Sequence, residues 1–466
     1  ERSRSVPATS MRALPRNAEC APTTLHACKN PSTHKGVNVN KSVIRRAAIV
    51  VAAASTTALV LAGCAGGGGG TASPSTDANA KVTLSVASFN DFGYTDALLQ
   101  EYMDEHPNVT IVHNKAATSN DARANYFQKL GKTGLADIEA IEVDWLPEVM
   151  KYADLLAPVP TDLKSRWLDW KTEAATDPDG NLIGYGTDIG PEGVCYRSDL
   201  FAAAGLPTDR EEVAKLLQGD WAKYFEVGAQ YNTATGKAFF DSAGGTYQGM
   251  VNQLPAAYED PKSGDIIATK NPEVKDIYTQ VLDASATQSA HLGQWSDDWF
   301  AGLSNGAFAT MLCPGWMLGV ISGNAKEVTT WDIANVFPNG GGNWGGSYLT
   351  VPANGKNVAA AQELADWLTS PATQIKAFTN AGTFPSQTEA LTDPTLLDST
   401  NEFFNNAPVG QILTDRANAV TVAPFKGAFY FQINDGMQKA LTRVEDGTQN
   451  QQQSWDQWVA EVDALG

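Results

Sequence analysis

An α/β fold is predicted for the chain from residue 81 onward, on three observations. Strand-period and helix-period segments alternate at short spacing, no period of 20–50 residues repeats, and 43% of the 466 residues are hydrophobic, enough for a large core. Residues 81–88 (KVTLSVAS) alternate apolar and polar side chains as a strand does. Thr95 is placed to cap a helix through Met103 that His106-Pro107 closes, and residues 109–112 resume a strand. Residues 137–143 (DIEAIEV) read as a third strand and 148–156 as the helix after it, a spacing that predicts parallel layering. Residues 184–188 are polar, glycine-bearing and placed between layers. A second α/β stretch spans 220–336, with helices over 221–230 and 272–286. The run 340–346 (GGGNWGG) is the strongest break in this part of the chain, and a strand at 348–351 follows it. Residues 360–368 form an amphipathic helix with Ala361, Leu364, Ala365 and Leu368 on one face, ended by Ser370-Pro371. A Trp455/Trp458/Val462 stripe docks the carboxyl-terminal helix on the core.

Charge removes whole classes of function. With 33 Lys+Arg against 52 Asp+Glu the formal charge is -19, which repels phosphate backbones, so nucleic acid is not the expected partner. A single apolar run, at 47–62, argues against a polytopic membrane protein.

That run belongs to the amino terminus. Residues 1–46 carry nine Lys/Arg against Glu1 and Glu19, then comes the apolar stretch AAIVVAAASTTALVLA, ending in Leu61-Ala62-Gly63-Cys64. Basic flank, apolar stretch and small residues make the layout of a secretory signal. Leu-Ala-Gly-Cys resembles the lipobox of bacterial lipoproteins, which implies a diacylglycerol thioether on Cys64 and cleavage before it. Residues 1–63 are accordingly read as upstream segment plus signal peptide, and 64–80 as a lipidated flexible tether. Because residue 1 is Glu and forty residues precede the signal, a translation start near 37–41 is expected. Loss of residues 1–63 takes nine bases and two acids away, leaving 24 Lys+Arg against 50 Asp+Glu and a formal charge of -26. Cys20 and Cys28 go with that segment. Cys195 and Cys313 remain, to form one disulfide in an oxidising compartment or to stay as two separate buried thiols.

Motifs for chemistry are mostly missing. Gly131-Lys132-Thr133 ends like a phosphate loop, but Tyr126 stands where the first glycine is needed. Asp177-Pro178-Asp179-Gly180-Asn181 starts like a calcium loop, yet Leu182 occupies the glycine position, so a turn is expected. GxSxG, HExxH and Cys/His clusters do not occur, and only His106, His113 and His291 lie after the signal, so no catalytic residue, metal or cofactor is assigned.

Tryptophan is more informative. All twelve lie after the signal, and several sit beside glycine or proline: Asp144-Trp145-Leu146-Pro147, Pro314-Gly315-Trp316 and Gly342-Asn343-Trp344-Gly345. An indole at a loop or strand end offers a flat apolar face to the CH face of a pyranose, while nearby Asn and Asp take its hydroxyls. Trp316 and Trp344 are favoured for contact, whereas Trp167, Trp170, Trp221 and Trp367 read as core.

Residues 183–201 (IGYGTDIGPEGVCYRSDLF) with Ala204-Gly205-Leu206, 306–316 (GAFATMLCPGW), 345–352 (GGSYLTVP) and 360–385 together resemble, in order and spacing, the extracellular oligosaccharide-binding proteins of ABC importers, of the maltose-binding-protein type. The resemblance implies a two-lobed periplasmic-binding-protein-like α/β fold, with a ligand cleft between lobes joined by hinge strands. It groups 81–186 as the first part of lobe one and 187–342 as the first part of lobe two. Residues 343–397 complete lobe one, and 398–466 complete lobe two with the carboxyl-terminal helices. Carried over by position, Asn90, Asp91 and Phe92, with Asp144 and Trp145, contribute contacts from lobe one. Asp188 and Gly190 match the hinge exit, Tyr247 and Tyr430 aromatic platforms, and Trp316 the main stacking residue. Trp299 and Trp344 are added on the tryptophan argument alone. Gly190 stands where maltose binders carry a charge, so a longer or β-linked oligosaccharide is expected instead. The family fold puts Cys195 and Cys313 on adjacent elements of lobe two, which implies that they bridge. The implied protein is a monomer without enzymatic activity, lipid-anchored at the extracellular face of the cell membrane, with permease subunits as partners. A secreted glycoside hydrolase is the alternative, and a receptor for peptide, metal or phosphate a third reading.

Overall fold

The computed structural model describes residues 80–466; the expected signal segment, Cys64 and most of the expected tether lie outside the described residues. Among the described residues, eleven strands follow in chain order: β1 (Val82–Phe89), β2 (Val109–Ala116), β3 (Ile138–Glu142), β4 (Tyr185–Gly186), β5 (Asp188–Ile189), β6 (Glu192–Arg197), β7 (Ala238–Phe240), β8 (Phe308–Pro314), β9 (Trp331–Ala334), β10 (Ser347–Thr350) and β11 (Phe384–Pro385). They form a five-stranded sheet ordered β2-β1-β3-β10-β4, a four-stranded sheet ordered β7-β8-β6-β9, and the short pair β11-β5 between them.

In the first sheet β1 runs parallel to β2 and β3, and helices Asp96–Glu105 and Ser119–Lys129 make the crossovers. Thr95 caps the first of these by accepting from the Leu98 N–H. The second is hard to find in sequence because it buries only Tyr126, yet Thr118 caps it in the same way. The expected helix over 148–156 is replaced by a short helix, Leu146–Met150, with Pro147 in its first turn, and a 3-10 turn, Ala153–Leu155. The amphipathic helix is present as Val358–Leu368, with Ala361, Leu364, Ala365 and Leu368 buried on the first sheet's core.

The second sheet is buried on both faces. On β6, Val194 and Tyr196 enter one apolar cluster while Cys195 enters another with Trp331, Ile333 and Phe384, the two-residue alternation of a strand. The carboxyl-terminal helix Gln451–Asp463 closes the first of these clusters with Trp455, Trp458 and Val462. The grouping of 343–397 with the first lobe does not match the packing of its end. Phe384, Ala390 and Leu396 join the core around Cys195, because the chain has already crossed between the sheets at β11.

Three crossings join the two sheets. The outgoing chain at 186–192 and the returning chain at 342–347 lie side by side, with the Trp344 N–H donating to the Gly190 carbonyl at 2.8 Å and the Glu192 N–H to that of Gly342 at 3.0 Å. The third, at β11, pairs antiparallel with β5. A Cβ on residue 190 would overlap the Trp344 carbonyl, so glycine is required there by the approach of two backbones. This corrects the reading of Gly190 as a residue that sets ligand choice.

Cys195 and Cys313 are joined by a disulfide. Cys195 pairs with Met311 and Gly193 with Cys313 in the antiparallel register, so the two cysteines sit diagonally across neighbouring strands, their Cα atoms 5.5 Å apart. Thiol titration of unfolded, unreduced protein is expected to find neither cysteine free. Replacing both by alanine is expected to lower stability by about 2–4 kcal/mol, read from the urea midpoint.

Candidate ligand-binding site

A cavity of about 440 Å³ opens where the carboxyl ends of β1 and β3 face the second sheet, in the size range of small-molecule sites, roughly 300–1,000 Å³. Its position follows from topology. Parallel strands leave a crevice at their carboxyl ends, where the helix amino termini also point. From the first sheet come the turn after β1 (Asn90, Asp91, Phe92), Ser119 at its helix start, and Glu142 and Asp144 after β3. The hinge supplies Asp188 and residues 345–347 as a floor. Opposite stand Gln248, Gln294, Asn434 and Glu445, beside three tryptophans.

Those three indoles form an aromatic corner. Trp295 and Trp316 lie nearly parallel (21°) with ring centroids 5.9 Å apart, and Trp344 stands at 81° to Trp316 at 5.4 Å. Trp316 begins helix Gly315–Asn324 and donates from Nε1 to the Trp344 carbonyl at 3.1 Å, which ties the corner to the hinge. Trp295 has φ 71°, a left-handed backbone that a bulky side chain rarely adopts. A buried carboxylate holds its loop: Asp241 accepts from Gln294 Nε2 at 2.8 Å, Trp299 Nε1 at 2.9 Å and the Ser242 N–H at 2.8 Å. Burial outweighs these bonds and lifts the Asp241 carboxyl to about 6.

Of the residues expected at the site, the fold brings together Asn90, Asp91, Phe92, Asp144, Asp188, Trp316 and Trp344 along this cavity. It sets Trp145, Tyr247, Trp299 and Tyr430 behind the wall, each buried. Trp145 packs on Tyr126 and Phe127 and donates to Ser119 Oγ at 3.0 Å. Tyr247 and Tyr258 share a hydroxyl bond at 2.9 Å, Tyr258 donates to Asn434 Oδ1, and Asn434 Nδ2 to Gln248 Oε1 at 2.9 Å. The aromatic platforms expected of Tyr247 and Tyr430 are thus a buried layer that orients the amides lining the cavity. Sequence reasoning passed over Trp295, Gln248, Asn434 and Glu142. Trp295 carries a weaker form of the signal that singled out its neighbours, a glycine two residues before the indole (Gly293-Gln294-Trp295), whereas the amides sit mid-helix with nothing to mark them.

Carboxylates dominate the electrostatics. Asp144 pairs with the nearly buried Lys426 ammonium. Glu142 accepts from the Asp144 N–H at 2.9 Å, and burial together with the Asp144 charge raises its carboxyl well above the usual range. Asp188 is raised by burial, against the pull of Lys171. Lys171 is itself buried, lowered to about 8, and lies over the Tyr348 ring at 3.9 Å. No group of three or more His, Cys, Asp or Glu among the described residues is arranged to hold a metal ion.

The chain belongs to the bacterial extracellular solute-binding proteins, whose family model matches residues 97–404. It is 46% identical to a crystallised extracellular solute-binding protein of family 1, covering 82% of this chain and 99% of that one with a TM-score of 0.73. At 17% identity it shares the fold of an ABC-transporter-associated binding protein from B. animalis subsp. lactis Bl-04, solved with beta-1,6-galactobiose (TM-score 0.70, 81% of this chain and 96% of that). Also at 17% it shares the fold of the galacto-N-biose-/lacto-N-biose I-binding protein from Bifidobacterium longum, solved with lacto-N-biose (TM-score 0.65, 83% and 97%). Against curated protein sequences the chain finds no significant match.

The Asp241 carboxyl gives a checkable sign. Its folded value lies above its unfolded value of about 4, so the folded state holds more protons between the two, and the contribution to stability grows as pH falls from about 6 to 4. Asp241→Asn is expected to flatten the rise in urea stability between pH 7 and 4.5 by about 2 kcal/mol. Glu139, raised by burial to about 7, acts in the same direction and keeps a residual slope.

Proposed function

We propose that this protein is a receptor that binds an oligosaccharide in the cavity between its two lobes and delivers it to an ABC-type importer, without turnover. The observation that carries this reading is the Trp295–Trp316–Trp344 corner facing amides and carboxylates. Flat indoles desolvate the CH faces of pyranose rings, and the polar wall takes their hydroxyls. Family membership and the galactobiose and lacto-N-biose held by relatives of the same fold support it. A ligand touching both walls favours the form with the lobes closed on the 186–192 and 342–347 crossings. Asn90 fits a ligand contact, since its Oδ1 is buried without a hydrogen-bond partner.

Calorimetry against galacto-, manno-, cello-, xylo-, malto- and fructo-oligosaccharides is expected to find tight binding without hydrolysis. Trp316→Ala is expected to cost more than about 2 kcal/mol of binding and leave the melting temperature nearly unchanged. Trp367→Ala is expected to do the reverse, because Trp367 packs on Tyr102 in the first core. Unaltered affinity in Trp316→Ala places the ligand elsewhere.

The receptor is proposed to be tethered at the outer membrane face through lipid on Cys64, with the glycine-rich segment after it as the tether. Mass analysis of protein from its native cell is expected to show a diacylglycerol-modified amino-terminal Cys64. A mature chain that starts elsewhere with a free thiol overturns the anchor.

A further inference from the structure

Among the described residues, every charged side chain on the cavity wall is an acid: Asp91, Glu142, Asp144, Asp188, Asp435 and Glu445. From this, and resting on the oligosaccharide reading above, we infer that the site selects sugars without carboxylate or sulfate groups and rejects uronic-acid oligosaccharides.

The cations nearest the cavity are already engaged or turned away from it. Lys426, with 7% of its side chain exposed, is held by Asp144. Lys171 lies beneath Gly346, 1% exposed, against the Tyr348 ring and between the charges of Asp188 and Glu142. Lys439 contacts Asp435 at 2.6 Å and Lys115 approaches Asp91 at 3.8 Å. Arg123 is bound to Glu148, and Arg443 to Ser454 and Glu461. Of the two nearby histidines, His113 shares a hydrogen bond with Ser88 Oγ and His291 with the Ser285 carbonyl.

Among the described residues Glu142 and Glu445 form no ion pair with a basic side chain. Glu142 rests on the Asp144 N–H, and Glu445 accepts on one oxygen from the Ala243 N–H and the Ser285 and Ser289 hydroxyls, at 2.9, 2.7 and 2.6 Å. Burial raises the Glu142 and Asp188 carboxyls against the pull of the buried Lys426 and Lys171 ammonium groups.

A neutral sugar meets this wall well, since hydroxyls donate to carboxylates and CH faces cover the indoles. A sugar carboxylate must shed its water beside like charges with no free ammonium or guanidinium to replace it. Rejection of this kind is specificity by repulsion. An ammonium in the same place meets no such penalty.

The test is calorimetry of the full chain with matched ligands. Galacto-, manno-, cello- and malto-oligosaccharides are each measured beside the same sugar with its primary hydroxyls oxidised to carboxylates, and beside the same sugar with them replaced by amines. For each neutral sugar that binds, the carboxylate form is expected to bind at least about tenfold more weakly, and the amine form within about threefold of the parent or tighter. The carboxylate penalty is expected to shrink as salt rises from about 0.05 to 0.5 M, and to shrink in Glu142→Gln/Glu445→Gln when expressed as the ratio to the neutral sugar. A carboxylate form bound within threefold of its parent overturns the inference while leaving the receptor reading intact. An amine form weakened as much as the carboxylate form also overturns it, because the loss is then steric. If no sugar of any charge binds, the oligosaccharide reading itself fails and the inference falls with it.

Discussion

The backbone contact between Gly190 and Trp344 is the constraint on which the rest of the molecule depends. Two crossings run in opposite directions between the sheets and approach until residue 190 has no room for a side chain. The bonds that hold them are backbone bonds, completed by Gly190 N–H donating to Asn343 Oδ1 at 2.9 Å and Ser347 N–H to Asp188 Oδ1 at 3.0 Å. Such a joint fixes where the two sheets face one another, and buried Asp188, Gln374 and Ser386 add side-chain hydrogen bonds to it. It also delivers Trp344 and Asp188 to the cavity floor as a direct result of hinge geometry.

The site depends on a second layer packed behind the cavity wall. Asp241 holds the loop that carries Trp295, the Tyr247–Tyr258–Asn434–Gln248 chain aims two amides, and Trp145 steadies Ser119. These buried groups are satisfied by one another, which fixes the rotamers of the lining residues before any ligand arrives. The disulfide adds to this on the second sheet by linking the strand that leaves the hinge to the strand that leads to Trp316.

Much of this was legible in the chain itself. Alternation marked β1, Thr95 marked a helix start, and the face of Ala361, Leu364, Ala365 and Leu368 marked a core helix, because these signals live within a few residues. Glycine or proline near an indole marked Trp316 and Trp344, which line the cavity, but also Trp145, which is buried, and was not applied to Trp295, two residues after Gly293. The sequence alone thus determined the α/β class, the solute-binding family, the acidic balance and the aromatic character of the site. Tertiary structure decided which aromatics face the cavity and which stand behind it. Trp145, Tyr247, Trp299 and Tyr430 have the composition of ligand platforms and the burial of core. It also decided that Gly190 serves the hinge and that Phe384 belongs to the second core. The reason is physical: a side chain's local pattern sets the element it forms, but its exposure depends on partners on other elements, from Ser119 for Trp145 to Asn252 for Tyr430, and these meet only when the chain packs.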